Sequence, residues 1–264
     1  MSINTLFDLS GRIAFVSGAA GHLGASMAEA LAEAGAKVIL NGRNISRLEK
    51  FAEFLSGKGL DVCVEGFDIN DESEVRRRFD SIQKQWKKLD IVVNNAYSGA
   101  AGTIASSTAA HFRNAYEIGV VSAFSVIQAA LPCLSAAAAE RGGASIINIA
   151  SMYGSVSPDP RVYGISGMNN PPFYGATKGG LIQLTRYMAC HLAPTGIRCN
   201  SISPGPFPPE GISAEFSEEL VRRVPMARLG HPKDLKGIVV FLASDSASYV
   251  TGANIPVDGG WTAW

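Results

Sequence analysis

A glycine-rich turn follows the first strand-like segment of the chain, and no other feature limits the possible folds as much. The segment Arg12–Ser17 carries the apolar residues of a strand, and the apolar-periodic segment His22–Ala34 is typical of a helix that ends at Gly35. A second strand-like segment, Ala36–Asn41, begins directly after that glycine. A strand, a helix and another strand predict a parallel βαβ unit, because parallel strands need a crossover connection.

The same alternation continues along the chain. Further helices are predicted at Ser46–Leu55, Asp71–Trp86, His111–Leu134, Tyr174–Ala193 and Pro232–Ser244. Further strands are predicted at Asp61–Glu65, Leu89–Val93, Ala144–Ala150, Gly196–Ser201 and Asn254–Val257. Strands rich in Val and Ile without strict alternation suit a parallel sheet that is covered on both sides. The expected fold class is therefore α/β, with a single doubly wound parallel β-sheet and helices on both faces, as in a Rossmann-type fold.

No linker, composition shift or internal repeat divides the chain, so we expect residues 1–264 to form a single domain. Two segments, Ser155–Phe173 and the proline-rich Pro204–Arg223, do not follow the regular pattern. Long irregular segments in a compact domain are usually functional loops or lids.

Charge and composition argue against several classes of partner. Lys+Arg and Asp+Glu both number 23, so no net field favours nucleic acid or an anionic membrane. The segment Ile118–Ala139 has no charged residue, but serines and a proline interrupt it, and we expect a buried helix rather than a membrane span. The four cysteines show no metal or redox spacing, and the sequence begins without an apolar signal segment, which indicates a cytoplasmic protein without a metal site.

The turn between the first strand and helix indicates a nucleotide site, because free backbone amides and the helix dipole bind phosphate there. Its candidate residues are Ser17, Gly18, Gly21, His22, Leu23 and Gly24. The second strand ends at Asn41-Gly42-Arg43 without a carboxylate for a ribose hydroxyl, which favours NADP and leaves NAD possible. Later strand ends, where ligands of parallel sheets bind, add the candidates Asp68, Ile69, Asn95 and Ala96.

Tyr174 and Lys178 are four residues apart in a predicted helix, and both side chains therefore lie on one face. An ammonium group near a phenol favours the phenolate and lowers the pKa of the tyrosine, so Tyr174 would exchange protons near neutral pH. The same spacing is also common in ordinary surface pairs.

Together these residues resemble the short-chain dehydrogenase/reductase family, from about Phe7 to Gly260. The sequence Ile147-Asn148-Ile149-Ala150-Ser151 is similar to the family's fifth strand with its catalytic serine, and Tyr174 and Lys178 match its Tyr-x-x-x-Lys motif. Pro204 and Gly205 match the Pro-Gly that follows the sixth strand and add two cofactor-binding candidates. The long segment before Tyr174 and the sequence after Ser151 resemble members that act on sugars or sugar acids, including gluconate dehydrogenase-like enzymes.

The resemblance implies an NAD(P)-dependent oxidoreductase that transfers a hydride between nicotinamide and a secondary alcohol or ketone, possibly a polyol, sugar or sugar acid. Tyr174 would donate or accept the proton, and Ser151 would hydrogen-bond the reacting oxygen. Lys178 would bind the nicotinamide ribose and lower the pKa of Tyr174. The domain would then be both dinucleotide-binding and catalytic, with a small-molecule substrate, and family members commonly associate through the helices predicted here, which implies a homotetramer.

Departures from the family pattern leave two alternatives open. Gly119 stands where the family's fourth catalytic residue, an asparagine that anchors a proton-relaying water, is usual, and Tyr97 replaces a usual glycine. Loss of that asparagine suggests a catalytically impaired nucleotide-binding sensor or interaction subunit. The spacing of Gly18, Gly21 and Gly24 resembles extended family members, such as sugar epimerases or dehydratases.

Overall fold

The computed structural model describes residues 2–99, 101–164 and 169–264, apart from the side chain of residue 4. Its strands form one parallel seven-stranded sheet with the order β3-β2-β1-β4-β5-β6-β7. The chain moves outwards from β1 to β3, returns to the other side of β1 at β4, and continues to β7. The predicted doubly wound α/β fold is confirmed.

The strands and helices have the following bounds. The strands are β1 Ile13–Val16, β2 Lys37–Gly42, β3 Val62–Gly66, β4 Ile91–Asn94, β5 Ala144–Ile149, β6 Ile197–Pro204 and β7 Asn254–Val257. The α-helices are α1 Ile3–Leu6, α2 Gly24–Glu33, α3 Ile45–Ser56, α4 Glu72–Trp86, α5 Ala109–Tyr116, α6 Ser122–Arg141, α7 Pro172–Leu192, α8 Ala214–Val221 and α9 Lys236–Ala243. Every predicted strand is present, with its ends shifted by at most three residues.

Apolar side chains cover the sheet on both faces. One core packs α2 against strands β1 and β2 and α9 against α2 and β5, and it includes Met27, Leu31 and Leu242. The other packs α4 and α6 against the opposite face and includes Phe79, Ile127 and Leu134. The central strands β1, β4 and β5 are buried at every position, which explains why their sequences lack polar alternation.

The predicted helix His111–Leu134 is part of a longer helical stretch, Ala109–Arg141. A π-helical segment, Glu117–Val121, lies between α5 and α6 and contains Gly119. The stretch is long and apolar enough to cross a membrane by composition, but 56% of its most apolar window is buried inside the protein. Packing against the sheet accounts for those apolar residues, as expected for a core helix.

The segment Pro204–Arg223, predicted to be irregular, contains helix α8. Ser213 caps this helix by accepting a hydrogen bond from the amide of Phe216. Its short length and the prolines before it concealed the helix in the sequence. Within the other irregular segment, Pro160–Tyr163 forms a single 3₁₀ turn, and the predicted loop at 165–168 lies outside the described residues.

Candidate active site

The candidate site lies at the carboxyl edge of the sheet, where the strand order reverses between β1 and β4. Ligands of open parallel sheets bind at such a switch point, because the connections leave β1 and β4 in opposite directions and open a crevice. A cleft of about 610 Å³ opens there. It is lined by the glycine turn after β1, by the ends of β2 to β6 and by the first turns of α7.

The glycine turn is close-packed and depends on two of its glycines. Gly18 has a φ of +62°, a conformation that side chains rarely adopt. A Cβ atom at Gly24 would lie 2.1 Å from the carbonyl oxygen of Gly18. Helix α2 begins at Gly24 rather than at the predicted His22, so the first turn of the helix faces the cleft with its amide groups.

Ser17 and Asn95 hold this turn in place. The hydroxyl of Ser17 accepts hydrogen bonds from the amides of Asn95 and Ala96, at 3.0 and 3.1 Å. The side-chain amide of Asn95 donates to the carbonyls of Ser17 and Gly18, at 3.0 and 3.1 Å. These hydrogen bonds therefore fix the shape of the turn by joining it to the segment that follows β4.

The cationic end of the cleft lies beyond β2. Arg43 is exposed, and its guanidinium is 3.8 Å from the carboxylate of Asp68. Arg47, which sequence reasoning missed, lines the same end because the side chain of Asn44 caps α3 and places its first turn there. Two arginines and the absence of a carboxylate on β2 leave this end of the cleft suited to a phosphate group.

The cleft brings together nearly all the residues predicted from the sequence. The predicted residues in its lining are Gly18, Gly21, His22, Leu23, Arg43, Asp68, Ile69, Asn95, Ala96, Ser151, Tyr174, Lys178, Pro204 and Gly205. Ser17 and Gly24 are not in the lining, since they support the turn from behind. The residues that the sequence did not indicate include Asn70, whose buried Oδ1 has no hydrogen-bond partner in the described part of the chain.

Close helix packing places Tyr174 and Lys178 beside Ser151. Ser151 follows β5, and its hydroxyl accepts a hydrogen bond from the amide of Tyr153 at 3.2 Å. Helix α7 lies directly against the turn after Ser151, because a Cβ atom at Gly175 would be 2.8 Å from the carbonyl oxygen of Tyr153. The three predicted catalytic residues thus meet at one end of the cleft.

Lys178 is buried and faces the sheet. Its Nζ donates a hydrogen bond of 2.7 Å to the carbonyl oxygen of Ile149, at the end of β5. The same Nζ lies 4.9 Å from the ring centre of Tyr97 and 5.8 Å from that of Tyr174. Burial lowers the pKa of Lys178 to about 8, because a desolvated ammonium group loses its hydration.

The prediction that Lys178 lowers the pKa of Tyr174 is wrong in this structure. Burial raises the pKa of Tyr174, and a hydrogen bond with Ser151 offsets only part of that effect. The ammonium group of Lys178 is directed at the carbonyl of Ile149 and lies nearer to the Tyr97 ring than to the Tyr174 ring. Tyr174 is therefore a protonated phenol at neutral pH and is suited to donate a proton.

Tyr97 fills space between the cleft and helix α7. Its ring packs edge-on against the ring of Tyr174, with centroids 5.1 Å apart. Its hydroxyl is buried and has no hydrogen-bond partner among the described residues, and burial raises the pKa of Tyr97 to about 12. Gly119 also lies against this ring, since a Cβ atom there would be 3.4 Å from Cε2 of Tyr97.

A second cavity, of about 1260 Å³, begins at Tyr97 and Tyr174 and extends away from the glycine turn. Its walls come from the 3₁₀ turn Pro160–Tyr163, the segment before α7 and helix α8. Tyr97 and Tyr174 line both cavities, so the phenol of Tyr174 stands at their junction. Residues 2–99, 101–164 and 169–264 contain no cluster of three or more His, Cys, Asp or Glu side chains able to hold a metal ion.

Comparison with known proteins places the site in a wider context. Residues 18–262 match a family model described as enoyl-(acyl carrier protein) reductase. The rhamnolipid-biosynthesis 3-oxoacyl-[acyl-carrier-protein] reductase of Pseudomonas aeruginosa is 33% identical and is covered over 98% of its length by 97% of this chain. The 7α-hydroxysteroid dehydrogenase of Bacteroides fragilis is 30% identical, with 95% of this chain and 94% of that protein covered.

A solved structure of similar shape contains a nicotinamide cofactor. The gluconate 5-dehydrogenase of Burkholderia cenocepacia, in complex with NADP and tartrate, superposes with a TM-score of 0.89. It is 29% identical, and all of both chains is covered. The similarity therefore extends over the whole fold.

Proposed function

The chain belongs to the short-chain dehydrogenase/reductase family, and from this premise we propose that its two cavities form the active site of an NADP-dependent oxidoreductase acting on a secondary alcohol or ketone. The relatives are named as dehydrogenases and reductases, which agrees with an oxidoreductase. These names agree with neither a sensor nor an epimerase. NAD stays possible as the less favoured cofactor.

The cleft fits a dinucleotide in three respects. The glycine turn leaves no room for side chains and presents backbone amides, as a pyrophosphate requires. The unpartnered Oδ1 of Asn70 offers an acceptor to a donor group of the ligand. Arg43 and Arg47 stand where the 2′-phosphate that distinguishes NADP would lie.

The residues of the chain would supply the acid and the orientation. When bound, the reduced cofactor supplies a hydride to the ketone carbon and is itself oxidised. Tyr174 gives its phenolic proton to the ketone oxygen, and Ser151 hydrogen-bonds the same oxygen. The phenolate left at Tyr174 would lie near the ammonium group of Lys178, which is anchored on Ile149, and Tyr174 would recover a proton from solvent for the next cycle.

A single observation carries this proposal: the phenol of Tyr174, with Ser151 beside it, lies where the dinucleotide cleft meets the second cavity. An absorbance screen at 340 nm tests it with sugar acids, polyols, cyclic alcohols and the corresponding ketones, using NADP and NAD in parallel. The proposal requires cofactor-linked turnover of at least one compound. Tight binding of NADP without turnover across the whole panel would favour a sensor instead.

We also propose that the chain forms a single domain, is located in the cytoplasm and assembles as a homotetramer. Support comes from large apolar side chains that α5, α6 and the π-helical segment leave exposed, namely Phe112, Tyr116, Val121 and Phe124. Tyr187 on α7 is also exposed. Exposed apolar surface of this kind commonly marks an interface. A monomeric mass by light scattering at micromolar concentration would contradict the tetramer.

A further inference from the structure

The second cavity is larger and more apolar than a small sugar acid needs. Its volume of about 1260 Å³ exceeds the range of roughly 300–1,000 Å³ that is usual for pockets holding drug-sized ligands. Val162, Tyr163, Ile212 and Phe216 contribute apolar wall. The rings of Tyr163 and Phe216 face each other across the contact between the 3₁₀ turn and α8, with centroids 5.7 Å apart. A small hydrophilic substrate would leave these walls in contact with water.

The arginines of this cavity are already paired. Nε of Arg223 is 3.1 Å from Oδ2 of Asp159, and its Nη1 is 2.9 Å from Oε2 of Glu219. Arg161 binds both carboxylate oxygens of Asp159 through its Nε, at 3.0 and 3.1 Å. These hydrogen bonds hold the pKa of Asp159 well below its usual range, so the pairing persists across physiological pH.

A carboxylate substrate would therefore find no unpaired cation among the described residues of the lining. The charged side chains there are Arg161, Arg223, Glu215 and Glu219, whose formal charges cancel. An incoming carboxylate would meet arginines whose charges Asp159 and Glu219 already balance. Its own desolvation would then gain no net ion pair in return.

Polar groups without partners lie among the apolar walls. The Oδ1 atoms of Asn169 and Asn170 and the hydroxyl of Tyr97 are buried and make no hydrogen bond to any residue that the structure describes. A buried polar atom without a partner destabilises the protein, and a ligand that binds the atom removes that cost. Amide oxygens accept hydrogen bonds, so they fit a hydroxyl group on the ligand and disfavour a second acceptor such as a carboxylate.

We propose that the second cavity binds an uncharged alicyclic ketone or alcohol with a bulky apolar body and a hydroxyl group remote from the reacting carbon. The reacting oxygen lies at Tyr174, the ring system lies against Phe216 and Ile212, and the remote hydroxyl reaches Asn169 or Asn170. This inference rests on the proposed oxidoreductase function and names the substrate class of the same site.

The first test compares kcat/KM for reduction of 2-decalone, 6-hydroxy-2-decalone, 5-keto-D-gluconate and 2-butanone. We expect the two decalones to exceed 5-keto-D-gluconate at least about tenfold, since a single methylene in an apolar pocket is worth at least that factor. A preference for 5-keto-D-gluconate would overturn the inference and leave the oxidoreductase function intact. Binding measured by calorimetry, with the protein saturated by NADP, decides the question without turnover, because the decalols must bind more tightly than gluconate.

Two variants test whether the residues of the second cavity produce this substrate preference. Phe216→Ala should lower the ratio of kcat/KM for 2-decalone to that for 2-butanone about tenfold, because it removes an apolar wall. Asn170→Ala should lower the ratio for 6-hydroxy-2-decalone to that for 2-decalone. The matched control Phe54→Ala, an exposed aromatic on α3, should change neither ratio. If neither Phe216→Ala nor Asn170→Ala changes its ratio of kcat/KM values, the body of the substrate binds elsewhere and the inference is contradicted.

Discussion

Gly119 faces Thr177 so closely that a Cβ atom at position 119 would lie 2.3 Å from the Cγ2 methyl group of Thr177. Thr177 is fully buried in α7, and its branched side chain has little rotational freedom there. Tyr97 occupies the adjoining space. Any side chain at position 119 would therefore collide with Thr177 and would require a different residue at position 177. This steric conflict explains why position 119 is glycine instead of the family's asparagine.

Replacement of Gly119 by asparagine should destabilise the protein. The side chain would force Thr177 or the π-helical segment to move, and overpacking of this kind costs about 1–3 kcal/mol. The free energy of unfolding from urea titration measures the loss.

A control and a rescue variant sharpen the Gly119 prediction. Gly237→Asn, in helix α9 with no atom within 4 Å of its Cβ position, should leave stability nearly unchanged. Thr177→Ser removes the obstructing methyl group, so Gly119→Asn should cost less in that background than in the wild type. Equal costs in both backgrounds would mean that the steric explanation is wrong.

Lys178 should make stability depend on pH in the alkaline range. Burial lowers the pKa of Lys178 in the folded protein to about 8 from 10.5. Between pH 8 and pH 10.5 the unfolded chain therefore binds more protons than the folded protein. The contribution of Lys178 to stability is therefore fully present above pH 10.5 and is lost as the pH falls to about 8. Relative to Lys178→Met, the wild type should gain up to about 3 kcal/mol between pH 8 and 10.5. Chemical denaturation of both proteins without cofactor measures this, and a pH-independent difference would contradict it.

Arg43 should discriminate between the two nicotinamide cofactors. Arg43→Ala should weaken NADP binding about tenfold, since a hydrogen bond to a charged group contributes about 1.5–3 kcal/mol, and should affect NAD much less. Fluorescence titration with both reduced cofactors measures the two dissociation constants. Arg76→Ala, on the exposed face of α4, is the matched control. Equal weakening of both cofactors would remove the physical basis for preferring NADP.

The sequence predicted the fold because its local signals agree with one another. Strand-like segments, most of them rich in Val and Ile, alternated with helices, and the glycine turn lay between the first strand and the first helix. Ser151, Tyr174 and Lys178 could be assigned to one site only through the family resemblance, since the tyrosine follows the serine by 23 positions. Their proximity arises from tertiary packing at Gly175, which no local pattern reveals.

The electrostatics of the site could not be read from spacing. The four-residue interval between Tyr174 and Lys178 gave the shared helix face correctly but not the direction of the pKa shift. That direction depends on the burial of Tyr174, which the hydrogen bond with Ser151 offsets only in part. The second cavity was equally inaccessible, because α8 and its Phe216 lie in a segment without a clear helical pattern.

We propose that Tyr174 is the proton donor in a hydride transfer. Following deuterium from 4-deuterated NADPH into the best ketone of the screen tests this role most directly. The wild type should transfer it, and Tyr174→Phe should lose about 10²- to 10⁴-fold in rate while binding NADPH nearly normally by fluorescence titration. Tyr187→Phe, on the exposed face of the same helix, should transfer deuterium at the wild-type rate. Transfer by Tyr174→Phe at the wild-type rate would contradict the account.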